Sequence, residues 1–325
     1  MQWRVDDFSA TGEEAFVPPT NSDELGVFIV EDFHVADWTF ETGLRADWVE
    51  RDPSAELAGS ESYFNFSASG SALWQLSEQW TAGLALSRAA RAPTTEELFA
   101  NVDATNNEEL VVHAATGIIE VGDTNLDEEV SLNSDLTLQW RSDTSWASLA
   151  VFYNQFSDYI FLLNSGTTVD DTEVYRYAQD DAVFYGVEFD SEFRLLSSGA
   201  GNLALGVFGD MVSGEFDDAG DVPRLPPERI GARLDWQANS WGAWIKGLYA
   251  AEQDNPGDFE TATDSYTRWD LGADYRIAMT NDRELMLFAK WNNITDEEIR
   301  LSTSFLREVA PEAGESLEVG VRFSF

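Results

Sequence analysis

The stretch EEVSLNSDLTLQWR, residues 128–141, places Val130, Leu132, Leu136, Leu138 and Trp140 on alternate positions. Between them fall Glu129, Ser131, Asn133, Asp135, Thr137, Gln139 and Arg141. Successive side chains of a strand point to opposite faces, so this segment reads as a strand with one apolar and one polar face. The alternation returns to either side, first as Trp38, Phe40, Leu44, Ala46 and Trp48, then as Phe64, Phe66, Ala68, Ala72, Trp74 and Leu76. It continues in Trp80, Ala82, Leu84 and Leu86, and again in Val183, Tyr185, Val187, Phe189 and Phe193. Ile230 to Trp236 and Trp269 to Ile277 carry it further, and the last ten residues, SLEVGVRFSF (316–325), repeat it and end on Phe325. With weaker rows near 2–8, 25–34, 146–162, 203–211, 241–251 and 285–296, the pattern predicts fourteen strands.

Alternation alone does not separate a membrane barrel from a soluble sandwich, because a sandwich also buries one face and wets the other. The connections do separate them. They are expected at 9–24, 35–37, 50–61, 77–79, 89–127, 141–145, 163–181, 197–201, 213–228, 238–240, 252–264, 279–283 and 297–314, long and short in strict turn. In an up-and-down barrel every second connection lies at the same end, and outer-membrane barrels have short turns on the periplasmic side and long loops outside. Trp74 and Trp80, Trp140 and Trp146, and Trp236 and Trp241 flank short turns, with Trp38 just after another. Indoles there match the aromatic girdle of a barrel at the membrane interface. The expected fold is therefore all-β, a transmembrane antiparallel up-and-down β-barrel.

Composition narrows the function. The chain has 325 residues, with 60 acidic against 19 basic ones and a formal charge of −41. Such a charge opposes binding to nucleic-acid phosphates, so no nucleic-acid partner is expected. Lys246 and Lys290 are the only lysines. Adaptation to a salty medium and a surface of acidic loops are equally good readings of the balance. There is no cysteine, which removes disulfides, thiolate metal sites and cysteine nucleophiles. Met1 to Asp7 carry neither the basic nor the apolar part of a secretory signal. No run approaches the ~20 apolar residues of a membrane helix, a limit that does not touch strands. No G-x-S-x-G, P-loop or placed G-x-G-x-x-G is present, so no enzyme and no cofactor are expected.

Several segments carry a family likeness. LSRAARAPTTEELFA (86–100) runs up a strand into the longest connection, and HAATGIIEVGDTNLDEE (113–129) leads out of it. With VFYNQFSDYI (151–160), AVFYGVEFDSEF (182–193), VPRLPPERIGARLDW (222–236), WNNITDEEIRLSTSFLREVAPEAGE (291–315) and the closing VGVRFSF, they resemble the TonB-dependent outer-membrane receptors in family order. The resemblance implies a 22-stranded barrel around a plug, with uptake powered by the TonB complex. Residues 1–325 would be the C-terminal part of that barrel, about fourteen strands, without the plug or the segment that couples to TonB. The implied partners are outer-membrane lipid, the barrel assembly machinery through Phe325, the TonB complex through the missing N-terminal region, and a small-molecule or metal-chelate substrate. The implied cargo is a scarce nutrient: a siderophore, haem, a metal ion or a vitamin. A self-contained 14-stranded passive channel and a soluble acidic β-sandwich binding module are the competing readings.

Candidate ligand residues lie in the connection 89–127, whose length marks it as functional or disordered. It holds His113, one of two histidines, among Glu108, Glu109, Glu120 and Asp123. An imidazole with carboxylates suits a divalent cation, which makes His113 a candidate metal ligand; the competing reading is a packed or solvated loop histidine. His34 ends a strand beside a short turn, where a polar role without ligation is expected. EVGDTNLDEE, DDAGD and TVDDTE lack the spacing of a calcium loop.

Overall fold

The computed structural model describes residues 1–257, 260–279 and 283–325, so small parts of the expected connections 252–264 and 279–283 lie outside the described residues. Its strands are β1 (Gln2–Phe8), β2 (Thr20–Val35), β3 (Trp38–Pro53), β4 (Glu61–Gln75), β5 (Trp80–Arg91), β6 (Ile119–Val121), β7 (Glu129–Arg141) and β8 (Trp146–Val169). They continue as β9 (Thr172–Ser198), β10 (Gly201–Phe216), β11 (Arg229–Gln237), β12 (Trp241–Ala250), β13 (Tyr266–Ala278), β14 (Glu284–Asn292) and β15 (Ser316–Ser324). One short helix, α1, spans Thr95–Phe99.

Leaving out β6, the strands form one meander in chain order from β1 to β15, each antiparallel to the next. That path has the fourteen members the alternation predicts. The fifteenth strand, β6, sits inside the expected connection 89–127 and pairs in parallel with β9. Three residues are too few to show a period, so the sequence hides it. The outermost strands β1 and β15 do not pair with each other, and the sheet is left open.

One expected connection is corrected. Residues 163–181 were to form a long loop, but β8 and β9 run through them as 24- and 27-residue strands. They meet in a two-residue turn at Asp170 and Asp171, whose φ values of 48° and 64° belong to the tight hairpin turns that favour Asp, Asn and Gly. Register breaks at 156/159 and 164/167 let the strands bend as they rise. NSGTTVDDTEVY is largely polar, and its one deeply buried apolar residue, Val174, pairs with Ile119 of β6. Alternation therefore cannot report it.

The faces differ in chemistry. Leu132, Leu136, Leu84 and Val151 project from one face and are largely exposed. A soluble protein rarely shows so wide an apolar surface. The other face carries ion pairs made within single strands, two residues apart: Arg45 with Asp47 at 2.7 Å, Arg233 with Asp235 at 2.8 Å, and Arg268 with Asp270 at 2.9 Å. Arg229 and Asp210 add a cross-strand pair at 2.9 Å. Tryptophans gather beside the short turns, where Trp38 stacks on Trp74 at 5.0 Å and Trp80 sits opposite Trp140. Among the described residues no helix is long and apolar enough to cross a membrane, which says nothing of strands. Buried residues collect at the end that holds the long connections. Leu98, Phe99, Leu126 and Ile160 form one cluster there; Phe161, Ala182, Phe216 and Val222 form another.

Candidate functional site

The connection between β5 and β7 is folded from its first residue. Arg91, the last of β5, reaches Glu97 at 2.8 Å and Glu129 at 2.9 Å and so ties both ends of the connection together. Thr94 then starts α1 with a reciprocal cap: its hydroxyl accepts from the Glu97 amide at 3.2 Å, and its own amide donates to the Glu97 carboxylate at 2.7 Å. The Thr-x-x-Glu spacing of 94–97 is the sequence signature of that cap. The helix buries Leu98 and Phe99 completely and turns Glu96 to the opposite side.

Asn101, at φ 51°, holds the next layer. Its side chain accepts from the Val111 amide at 2.8 Å and donates to the carbonyls of Val111 at 3.0 Å and Glu120 at 2.8 Å. A tight turn follows, in which His113 donates its amide to Ile118 at 2.8 Å and receives that of Gly117 at 2.8 Å. This turn sets the His113 ring beside Glu120 of β6. Gly122 brings the strand against α1: a Cβ there would lie 2.5 Å from the Leu98 carbonyl and 2.7 Å from the Phe99 nitrogen. Both are backbone atoms and cannot swing aside. Gly122→Ala is therefore expected to cost about 1–3 kcal/mol by overpacking, read as easier proteolytic nicking between 92 and 128. Wild-type resistance would show that the contact relaxes freely.

The group assembled in this way is Glu96, His113 and Glu120, whose ligand-type atoms all lie within 4.8 Å of one another. His113 Nδ1 is 2.8 Å from Glu120 Oε1 and 3.8 Å from Glu96 Oε1. Glu120 is only 1% exposed, and hydroxyls satisfy it: Thr116 donates to Oε1 at 2.8 Å and Tyr177 to Oε2 at 3.2 Å. Phe16 lies over the imidazole with ring centres 4.5 Å apart. Burial first, then the hydrogen bond and charge of Glu120, push the Glu96 carboxyl above its ordinary range. Tyr177 sits on the part of β9 beyond the register break, and burial followed by the charges of Glu120 and Glu96 pushes its phenol up. It remains a donor at neutral pH.

Of the residues singled out from sequence, the fold brings together His113 and Glu120. Glu108 and Glu109 fall in a short 3-10 turn, Asn107–Glu109, and are exposed. Glu109 accepts from the Thr105 amide at 2.7 Å, which holds its carboxyl below the ordinary range. Asp123 folds back on the Asn125 amide at 2.8 Å. These three lie outside the group. Sequence reading missed Glu96, Thr116 and Tyr177; the capping signature offered a signal for Glu96, because it fixes which way the helix faces. Tyr177 had none, since its strand was read as loop. His34 stands 3.8 Å from Asp32, with both side chains 68% exposed.

Comparison with known proteins agrees with this architecture. A family model described as "TonB dependent receptor-like, beta-barrel" matches residues 1–294. Among solved structures, the chain is similar to the copper transporter OprC, with 18% identity and a TM-score of 0.77 over 94% of this chain and 48% of that one. It is also similar to the FrpB iron transporter from Neisseria meningitidis, at 16% identity and a TM-score of 0.69 over 94% of this chain and 46% of that one. The siderophore receptor PirA from Pseudomonas aeruginosa matches at 16% identity and a TM-score of 0.58, over 93% of this chain and 57% of that one. The chain thus spans about half the length of these structures. With the family match over most of its length, the chain belongs to the TonB-dependent receptor β-barrel family, and its open meander matches the barrel of that family.

Proposed function

We propose that residues 1–325 are the C-terminal portion of an outer-membrane receptor that imports a scarce nutrient, captured by the connections at the built-up end of the sheet. The observation that carries this reading is the two-faced meander. One face is apolar and exposed, the other is laced with ion pairs, and the folded connections stand at one end only. An apolar outer face suits lipid, and a charged inner face suits a water-filled or plugged interior. Open strand edges are costly in lipid, so β1 and β15 are read as seams that meet further strands of the complete barrel. The half-length match to the solved receptors supports the same view.

In this reading Phe325 ends the last strand where the barrel assembly machinery engages it, and TonB acts through a plug and coupling segment N-terminal to these residues. The neighbours carry copper, iron and a siderophore by their names, which favours a metal ion or a metal chelate as cargo. Cells lacking the gene are expected to lose protonophore-sensitive accumulation of at least one of radiolabelled iron, zinc, copper or haem under starvation. Unchanged uptake of all four would overturn metal import. Flux that ignores the protonophore would point to the passive channel, and a protein soluble without detergent would point to the acidic sandwich.

A further inference from the structure

We propose that the outward side of the wall between β4 and β5 holds the phosphate of an outer-leaflet lipid on Arg88. The inference rests on the membrane reading above. On the rows of the meander between the short turns and the connections, arginines and lysines otherwise point inward, Arg45, Arg233 and Arg268 to their aspartates and Lys246 opposite Asp270. Among the described residues of those rows, Arg88 alone shares the outward face, with Leu86 below it and Leu132 opposite. Its guanidinium donates to the Phe66 carbonyl and, among the described residues, enters no ion pair.

Depth sets what the side chain meets. Arg88 stands higher on β5 than Trp80, which starts the strand at the short-turn end. At about 3.3 Å per residue and a tilt of roughly 35–45°, it lies about 19–22 Å further along the membrane normal, close under the top of an apolar band about 25 Å tall. Tyr153 and Tyr185 occupy the row just below, reached through Leu86 and Ser134, and are exposed as interfacial tyrosines are. An outward arginine costs little at that level and reaches the headgroups. Phosphates are the anions it meets there, on a chain whose charge of −41 otherwise repels them.

The wall also opens at this point. β4 and β5 are paired from Gln75 with Thr81 up to Ala68 with Arg88, and above that row no backbone hydrogen bond joins them among the described residues. Side chains bridge the split instead. The Ala90 amide donates to the Ser67 hydroxyl at 3.2 Å, the Phe64 amide to the Glu128 carboxylate at 3.2 Å, and Arg88 to Phe66. The amide and carbonyl of one strand residue point to the same side, so the Phe66 amide faces the split beside the guanidinium. Arginine has five donors in a planar fork, and the Phe66 carbonyl leaves most of them free. A phosphate over the split takes the guanidinium and the Phe66 amide together, while Glu128 is held off on the row above.

The test titrates lipid A, a phosphorylated glycolipid, into the protein purified in detergent from the membranes of cells that make it, with native mass spectrometry counting the lipid retained. The wild type is expected to hold one lipid A per chain. Arg88→Gln should weaken it by at least about tenfold, the loss of one charge-assisted contact, while Arg88→Lys should keep most of the affinity. Glutamine still donates to the Phe66 carbonyl, so the split stays bridged, and heat-dependent gel mobility checks that each variant is folded. Arg322→Gln, on the inward face opposite Met286, is the control expected to change nothing. Equal retention by Arg88→Gln, or equal retention of lipid A stripped of its phosphates, would overturn the site. So would inorganic phosphate binding at Arg88 as tightly as the lipid, because the anion would then come from solution. A protein soluble without detergent would overturn the membrane reading, whereas a membrane-embedded protein that fails the lipid tests overturns this inference alone.

Discussion

Truncating Phe99 to alanine is expected to raise amide exchange across residues 95–126 by roughly 100- to 4,000-fold while the strands of the meander stay protected. Phe99 is fully buried and packs in one cluster with Leu98, Leu126 and Ile160. Removing a buried phenylalanine side chain costs about 3–5 kcal/mol, part lost transfer energy and part cavity. At about 1.4 kcal/mol per decade, that energy gives the stated range. The cluster joins one connection to the second half of β8, beyond its first register break, so the opening should be local. Leu57→Ala supplies the control, because Leu57 is 59% exposed and its loss should change little. Equal exchange in both variants would mean that the connection is held by its hydrogen bonds rather than its core.

Leu136→Arg and Thr137→Arg, adjacent substitutions on β7, are expected to differ by about 2–4 kcal/mol in the stability of the protein refolded into lipid vesicles. Leu136 lies near the middle of its strand and faces outward between Leu84 and Val151. An arginine there meets hydrocarbon at the depth where the penalty is greatest. Thr137 points the other way, opposite Gly83 and Ala150, where small neighbours and a polar interior leave room for a guanidinium. Urea unfolding of the two variants reads the difference directly. Similar costs would reverse or erase the assignment of the faces, and with it the membrane reading.

The path of the sheet was legible because each strand of the meander carries one apolar and one polar face. Val130 to Trp140 alternate because their strand presents one apolar and one polar face, and the short turns are marked by indoles at their flanks. Legibility failed where that pattern lapses. Residues 163–181 extend past the rows of exposed apolar side chains and carry no regular period, although β8 and β9 stay paired, with a register break at 164/167, up to the turn at Asp170 and Asp171. The candidate site was half visible for a related reason. His113 and Glu120 stand out as residue types in one connection, and Thr94 with Glu97 announces a helix start. The approach of Tyr177, however, depends on a hairpin that polar sequence conceals.

β6 has one more effect. Above Ala182, where β10 ends, β9 keeps β8 on one side and would show a bare edge on the other. β6 fills that edge at Val174, Tyr175 and Arg176. A tall hairpin with an open rim would invite strand addition by foreign peptide or by a neighbouring copy. By folding three residues of its own longest connection onto the rim, the chain occupies the place such an intruder would take.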